Sequence, residues 1–422
     1  MTISTSATTP SPAPGIGRLI RSLLVTVPLL LSINSSWAEP GIYPDQIVVG
    51  AVLDMEGLSR GLGLGMRSGL EAAFDGQRVQ GKAIKLKALN DSYSPNLTVK
   101  ATERLIADDI FAMIGNVGTP TAQVSLPILA ENGVPAIGFF TGAGLLRPGV
   151  GSIVNYRASY VQEVAEVIEQ VMSNGVSVNQ ICAFVQNDAY GMAGVQGIKR
   201  ALINRPRSNE IVAKLDEILE MSGPSPERNG IGPVGVYERN TLSSREGYDS
   251  LKQWEKTQQT PCRLVVTVGA YSAIGRFAGY ARYKGEKWVI SAVSFTGADN
   301  LAGTLQQFGV KDGFVMTQVV PLLDTNLPIV IAAKKKLGDN FGYVSLEGFI
   351  VGKMFLQLLN DIDGPITRTA FLNATRNSTF DLGGISIDFR NDNQGSDLVT
   401  AIQYYDKNYH PLASQDWARL FN

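Results

Sequence analysis

The sequence predicts an α/β protein of two doubly wound parallel-sheet lobes with a cleft between them, and three observations carry that expectation. From Gln46 onward short β-branched runs alternate with amphipathic helical stretches, the pattern of βαβ units. The alternation then starts again near residue 160. At 422 residues the chain also exceeds the length at which one hydrophobic core usually stops growing.

In the first unit Ile47 to Leu53 reads as a buried strand, and Met66, Leu70, Ala73 and Phe74 keep one face of a following helix apolar. Ile84 to Lys87 alternates as a second strand. Pro95 opens a helix carrying Leu97, Ala101, Leu105 and Ile106. Phe111 to Ile114, a helix from Thr121 to Asn132 and a strand from Val134 to Phe139 complete the unit. The second unit begins with the helix marked by Val161, Val164, Ile168 and Val171. Its strands are expected at Ile181 to Val185, Leu264 to Val268, Trp288 to Ala292 and Phe314 to Val319. A Pro/Gly/Ser-rich excursion, 205–234, interrupts it with a short helix near Ile211 to Leu219. Helices near Ile329 to Leu337 and Ser345 to Leu359, then strands near Gly384 to Phe389 and Val399 to Tyr405, end the chain.

The N-terminus reads as a targeting segment. Arg18 and Arg21 precede an apolar run from Leu23 to Ile33, and small residues, Ser36 and Ala38, occupy the positions a signal peptidase reads. That run is about 11 residues, where a bilayer needs roughly 20. Residues 1–38 are therefore expected to be a cleaved signal peptide, giving a periplasmic protein with no Cys near the site to carry a lipid.

Composition removes several function classes. Lys and Arg number 37 against 38 Asp and Glu, with no like-charged block beyond Lys334-Lys335-Lys336, so neither nucleic acid nor an anionic membrane is expected as partner. The single His, His410, leaves no material for His-paired metal sites, Ser-His-Asp triads or Cys-His dyads. No metal, cofactor or catalytic residue is expected, and the protein reads as a non-enzyme. Gly61-Leu62-Gly63-Leu64-Gly65 sits where a dinucleotide fingerprint would lie, but Met66 and Ser68 stand where its third Gly belongs; it reads as a strand-to-helix turn near a ligand. Cys182 and Cys262 are too far apart for a CxxC motif. Each lies near a strand of the second unit, so a disulfide is expected, with two buried thiols as the alternative.

One loop reads as an anion site by itself. Thr119 is a good N-cap and Pro120 suits a first helical position. Free N–H groups at Thr121 and Ala122, with the helix dipole, would favour a ligand carboxylate.

Spaced matches across 46–410 resemble the type I periplasmic binding proteins of the leucine/isoleucine/valine-binding family, which serve ABC importers. They include Ile47-Val48-Val49-Gly50, Asn90-Asp91-Ser92-Tyr93-Ser94-Pro95, Ile114-Gly115-Asn116-Val117-Gly118-Thr119-Pro120-Thr121, Phe140-Thr141-Gly142-Ala143, Gln186-Asn187-Asp188-Ala189-Tyr190-Gly191 and Val344-Ser345-Leu346-Glu347-Gly348. The resemblance implies three crossovers between discontinuous lobes. Lobe 1 would be 45–157 plus 322–395, and lobe 2 would be 158–321 plus 396–418. It implies a monomer that closes on a small amino acid, carboxylate or amide and delivers it to an inner-membrane ABC permease; a ligand sensor with a separate signalling partner is the alternative.

The resemblance also implies the ligand residues. Gly118, Thr119 and Thr121 would hold a carboxylate end, with Phe140, Thr141 and Gly142 beside it. Tyr160, Tyr190 and Tyr271 would close over the ligand, and Gln162 or Glu163 would reach the cleft. One departure stands out. Relatives commonly place a carboxylate for the ligand ammonium after the strand that here ends in Ala292, whereas this chain has Ser294-Phe295-Thr296. A buried ammonium without a counter-charge is costly, so Phe295 puts the usual amino-acid ligand in doubt.

Overall fold

A computed structural model describes residues 39–421; the expected signal peptide, 1–38, lies outside the described residues. Buried on both faces from Ile47 to Leu53, β1 (Gln46–Leu53) is an interior strand of the first sheet. A strand covered on both sides needs a continuous apolar run, and this one has it. Around it follow α1 (Arg60–Phe74), β2 (Arg78–Val79), β3 (Lys82–Asn90), α2 (Pro95–Ala107), β4 (Ala112–Ile114), α3 (Thr119–Glu131), β5 (Ala136–Ile137) and β6 (Ile153–Val154). The spatial order is β2-β3-β1-β4-β5-β6. Every pairing is parallel except β2 with β3. β5 is shorter than the sequence suggests, since Gly138 leaves the extended region at φ 55°.

The second sheet takes α4 (Tyr160–Ser173), β7 (Ile181–Gln186), α5 (Ala189–Leu202), α6 (Asn209–Glu220), β8 (Val234–Tyr237), α7 (Arg245–Gln258), β9 (Leu264–Val268), α8 (Tyr271–Tyr283), β10 (Val289–Ala292), α9 (Ala298–Gln307) and β11 (Phe314–Gln318). The chain then returns to the first sheet: α10 (Pro328–Leu337) and α11 (Tyr343–Asn360) pack on α1, and α12 (Arg368–Thr375) packs on α11. A hairpin of β12 (Thr379–Asp381) and β13 (Ser386–Asp388) stands apart from both sheets, so the strand expected at 384–389 joins neither. Last, β14 (Thr400–Tyr405) and β15 (Asn408–Pro411) add antiparallel to the second sheet, ordered β15-β14-β11-β10-β9-β7-β8.

The Gly61–Gly65 run is not a turn. It forms the opening of α1, where a Cβ at Gly63 would strike the Asp54 carbonyl and one at Gly65 would meet Val344. Gly63 and Gly65 let α1 pack against the end of β1 and against α11, while a Cβ at Gly61 would meet Asn300 of α9.

Between the sheets the chain crosses three times, and the crossovers are bonded to one another. Asn155 N–H donates to the Asn393 carbonyl (2.8 Å), Ser396 N–H to the Tyr156 carbonyl (2.9 Å) and the Tyr156 hydroxyl to the Val319 carbonyl (2.9 Å). Arg147 adds Nε to Gln394 Oε1 at 2.7 Å and Nη2 to the Arg157 carbonyl at 2.7 Å. The three crossovers thus form one hydrogen-bonded joint between the sheets.

Cys182 on β7 and Cys262 just before β9 are joined by a disulfide, with Cα atoms 5.9 Å apart. The two strands are parallel neighbours, with Ile181 beside Leu264 and Cys182 beside Val265. The bond closes a chain separation of 80 residues. Replacing both cysteines by serine should lower the unfolding free energy in urea by about 2–4 kcal/mol, less whatever structure the unfolded chain keeps; an unchanged midpoint would show that the pairing of β7 with β9 holds without it.

Candidate functional site

Loops leaving the carboxyl ends of both sheets meet each other. The first sheet sends Tyr93 (after β3), Asn116-Val117-Gly118 (after β4) and Phe140-Thr141-Gly142 (after β5); the second sends Gln186 to Asp188 (after β7), Tyr271 (after β9) and Ser294-Phe295-Thr296 (after β10). Direct bonds cross the seam. Gln186 Nε2 donates to the Tyr93 hydroxyl at 3.2 Å, Gly61 N–H to the Tyr271 hydroxyl at 3.3 Å, and Asn240 Nδ2 to the Tyr93 carbonyl at 3.4 Å.

Phe295 occupies the middle of this seam. Its ring centroid lies 4.6 Å from Tyr190, 5.2 Å from Phe140 and 6.2 Å from Tyr93, and Tyr190 is 5.3 Å from Tyr160. All five rings are buried. Tilted aromatic pairs of this kind stabilise by roughly 0.5–1.5 kcal/mol beyond area burial. Their polar tips lie beside seam hydroxyls, Tyr160 next to Thr141 and Tyr190 next to Thr296. Burial pushes the Tyr160 phenol up to about 12, so it stays a neutral hydroxyl able to donate.

The α3 loop differs in detail from its sequence reading. Gly118, at φ 108°, is the N-cap, and Thr119 is already the first helical residue. A Cβ at Gly118 would run into the Tyr93 ring, so only glycine fits. Freed from capping, the Thr119 hydroxyl bonds the Thr141 hydroxyl at 2.7 Å, joining the two loops expected at one end of a ligand. Thr121 Oγ1 turns back to the Val117 carbonyl at 2.6 Å, and the Ala122 N–H is spent on the Gly118 carbonyl at 3.1 Å. The Ala122 N–H is therefore not free as expected. A Cβ at Gly142 would come within 2.7 Å of the Tyr160 backbone nitrogen, so this glycine brings the β5 loop onto the start of α4.

Gln162 lies at the joint, not in the seam. Its Oε1 accepts from the Ser159 N–H at 2.8 Å, closing the capping box of α4, and its Nε2 donates to Asp397 Oδ1 at 2.6 Å. Glu163 is fully buried and committed: it accepts from Ser294 N–H (2.7 Å), Ser294 Oγ (3.0 Å) and Thr317 Oγ1 (2.6 Å). Asp188 caps α5 through the Tyr190 N–H (3.0 Å) and accepts from Gln186 Nε2 (2.8 Å) and Arg239 Nη1 (3.1 Å). Burial raises its carboxyl against the pull of Arg239.

Two residues of the seam carry no signal that the sequence reading used. Arg157, in the first crossover, is only 1% exposed, lies 4.7 Å over the Phe140 ring and bonds Ser294 Oγ. Glu347 on α11 sits 3.6 Å from Arg157 Nε, and Glu163 sits 3.6 Å from Nη2. Burial pushes the Glu347 carboxyl up to about 7, against Arg157 and with Glu163 adding to the rise. A lone acid in a helix that is apolar all round, Leu346-Glu347-Gly348-Phe349, was the available sign of a buried charge. Two open surface cavities, one of about 720 Å³ between 321–327 and 384–400, hold none of these seam residues.

Comparison with known proteins places this arrangement. A periplasmic binding protein family model matches residues 46–204. The crystal structure of a possible leucine/isoleucine/valine-binding protein from Rhodopirellula baltica is 33% identical, covers 88% of this chain and 98% of its own, and superposes with a TM-score of 0.79. A substrate-binding periplasmic protein from Ralstonia solanacearum is 21% identical over 84% of this chain and 96% of its own, TM-score 0.67. A solute-binding protein of an ABC transporter from R. palustris, in complex with 4-hydroxybenzoate, is 14% identical over 90% and 100%, TM-score 0.67. No relative matches among curated proteins. The chain belongs to the type I periplasmic binding proteins, a family of extracytoplasmic proteins that bind small molecules and work with ABC transporters. Among the described residues no helix is long and apolar enough to cross a membrane.

Thr119→Ala removes the bond between the two ligand-end loops. It should cost about 1 kcal/mol of stability as a neutral hydrogen bond does, but weaken binding of an anionic ligand about tenfold or more, since a charge-assisted bond contributes roughly 1.5–3 kcal/mol. Titration calorimetry beside a urea melt separates the two; equal losses would make Thr119 a packing residue.

Proposed function

We propose that this protein is the extracytoplasmic substrate-binding component of an ABC importer, exported by cleavage after Ala38 and working as a monomer in the periplasm. It would take a small amino acid, carboxylate or amide between its lobes and present the closed form to an inner-membrane permease. Lobe limits of 45–157 with 322–395, and 158–321 with 396–418, put the three bonded crossovers at the joints. The observation that carries the reading is the seam itself: loops from both sheets bury aromatic rings and unpartnered polar atoms against one another at the crevice where α/β folds bind ligands. Site residues on this reading are Gly118, Thr119, Thr141, Gly142, Phe140, Tyr160, Tyr190, Tyr271 and Phe295.

Ligand class follows from charge. Phe295 stands where an ammonium would need an acid, and Glu163 and Asp188 are held by other donors. An amino acid would have to strip water from its ammonium without recompense. Calorimetric titration of 3-phenylpropionate against phenylalanine tests this directly, and lobe closure is read in parallel by small-angle scattering. The acid should bind more tightly by at least tenfold and shrink the radius of gyration; tighter binding of the amino acid would show that another acid completes an ammonium site.

A further inference from the structure

Arg157 is a guanidinium buried in the seam, and its hydrogen bonding is unfinished. Of its three nitrogens, Nη2 bonds Ser294 Oγ, while Nε and Nη1 are buried without a hydrogen-bond partner. It bridges the two sides of the cleft: Phe140 of the β5 loop lies under its plane, and Ser294, next to Phe295, lies at its tip. The Tyr160 ring is 5.8 Å away on the α4 side. Both flanking acids stand at 3.6 Å, beyond hydrogen-bond contact. A desolvated guanidinium with two orphan donors is costly. A ligand carboxylate is a group that the free Nη1 could take; Nε and Nη1 face different edges of the guanidinium and do not meet one carboxylate together.

The two acids differ in what they can yield. Glu163 is tied down by three donors from Ser294 and Thr317. Glu347 has no such bonds. The charged and titratable groups facing it are Arg157 and Tyr156 from the first crossover, Glu163 from α4 and Arg147 from the loop before β6.

We propose that Arg157 is the anion anchor of the cleft: the ligand's carboxylate accepts from its free Nη1, and Glu347 gives up its role as counter-ion by accepting one proton from solvent. This rests on the solute-binding reading above and narrows its ligand to an organic carboxylate. The charge balance supports the exchange. With Glu347 ionised, the cluster of Arg157, Glu163 and Glu347 carries one net negative charge; with the ligand carboxylate bound and Glu347 protonated, it carries the same. The exchange therefore buries no additional net charge.

The sign of the linkage follows. An anion beside Glu347 raises its hold on a proton, so the complex binds more protons than the free protein and affinity rises as pH falls. The free carboxyl sits at about 7. Below that pH the proton is already present and affinity is flat; above it, affinity falls by up to about tenfold per pH unit.

The test is calorimetry between pH 6 and 8.5 with 3-phenylpropionate and its amide, on the wild type and on Glu347→Gln, with a melting curve to show that the variant folds. The proposal expects the acid to bind at least tenfold tighter than the amide, with affinity falling above pH 7 and protons taken up in that range. Glu347→Gln should bind the acid with no such slope. Amide binding as tight as the acid, or an acid affinity with the same slope in both proteins, overturns it. A melting screen of carboxylates, amides and amines keeps the two readings apart. Stabilisation by neutral or cationic compounds alone overturns the anion anchor and leaves the solute-binding reading standing; no stabilisation by any compound counts against both.

Discussion

The constraint on which the rest depends is the burial of Arg157. Its backbone lies in the first crossover, where its carbonyl is held by Arg147, and its side chain lies between the loops of the two sheets. An ion removed from water costs several kcal/mol even after relaxation, and only good geometry with full hydrogen bonding offsets that. Here the geometry is incomplete: two nitrogens lack partners, and one flanking acid is driven to about 7 by burial. A cluster selected for stability alone would be better satisfied or replaced by apolar residues. On the proposed reading, that incompleteness leaves a donor for a ligand.

Closure and recognition are then one process. The lobes already meet on Phe295, whose ring packs between Tyr190 of one side and Phe140 and Tyr93 of the other. Such an apolar contact lowers the local dielectric around Arg157 and the Thr119–Thr141 pair, so each polar contact made there gains in strength while each left unmade becomes more costly.

Much of the fold was legible because parallel strands must be apolar along their whole length, and β1, β7 and β9 are. The order of the loops indicated where the two sheets would meet. What escaped had physical reasons. Thr119 looks like a cap in sequence, but Gly118 at φ 108° takes that position and releases the hydroxyl to Thr141. Gly61–Gly65 looks like a turn, yet its missing side chains serve contact with Asp54 and Val344. Gln162 is drawn into the cap of α4 and to Asp397, a partner 235 residues away. Arg157 and Glu347 leave no periodic trace, because one buried charge in a crossover and another in an apolar helix become a pair only when the third segment of the chain folds back.

On the proposed reading the Arg157 cluster exists for binding and not for folding. The most direct measurement is the urea unfolding free energy of a double variant, Arg157→Met with Glu347→Leu, which removes the pair together and leaves Glu163 on its three other donors. The account predicts stability equal to the wild type within about 1 kcal/mol, or higher by roughly 1–4 kcal/mol, as when buried ion pairs elsewhere give way to apolar residues of similar volume. A loss of about 3–5 kcal/mol, the cost of breaking a buried pair that the fold needs, would contradict it.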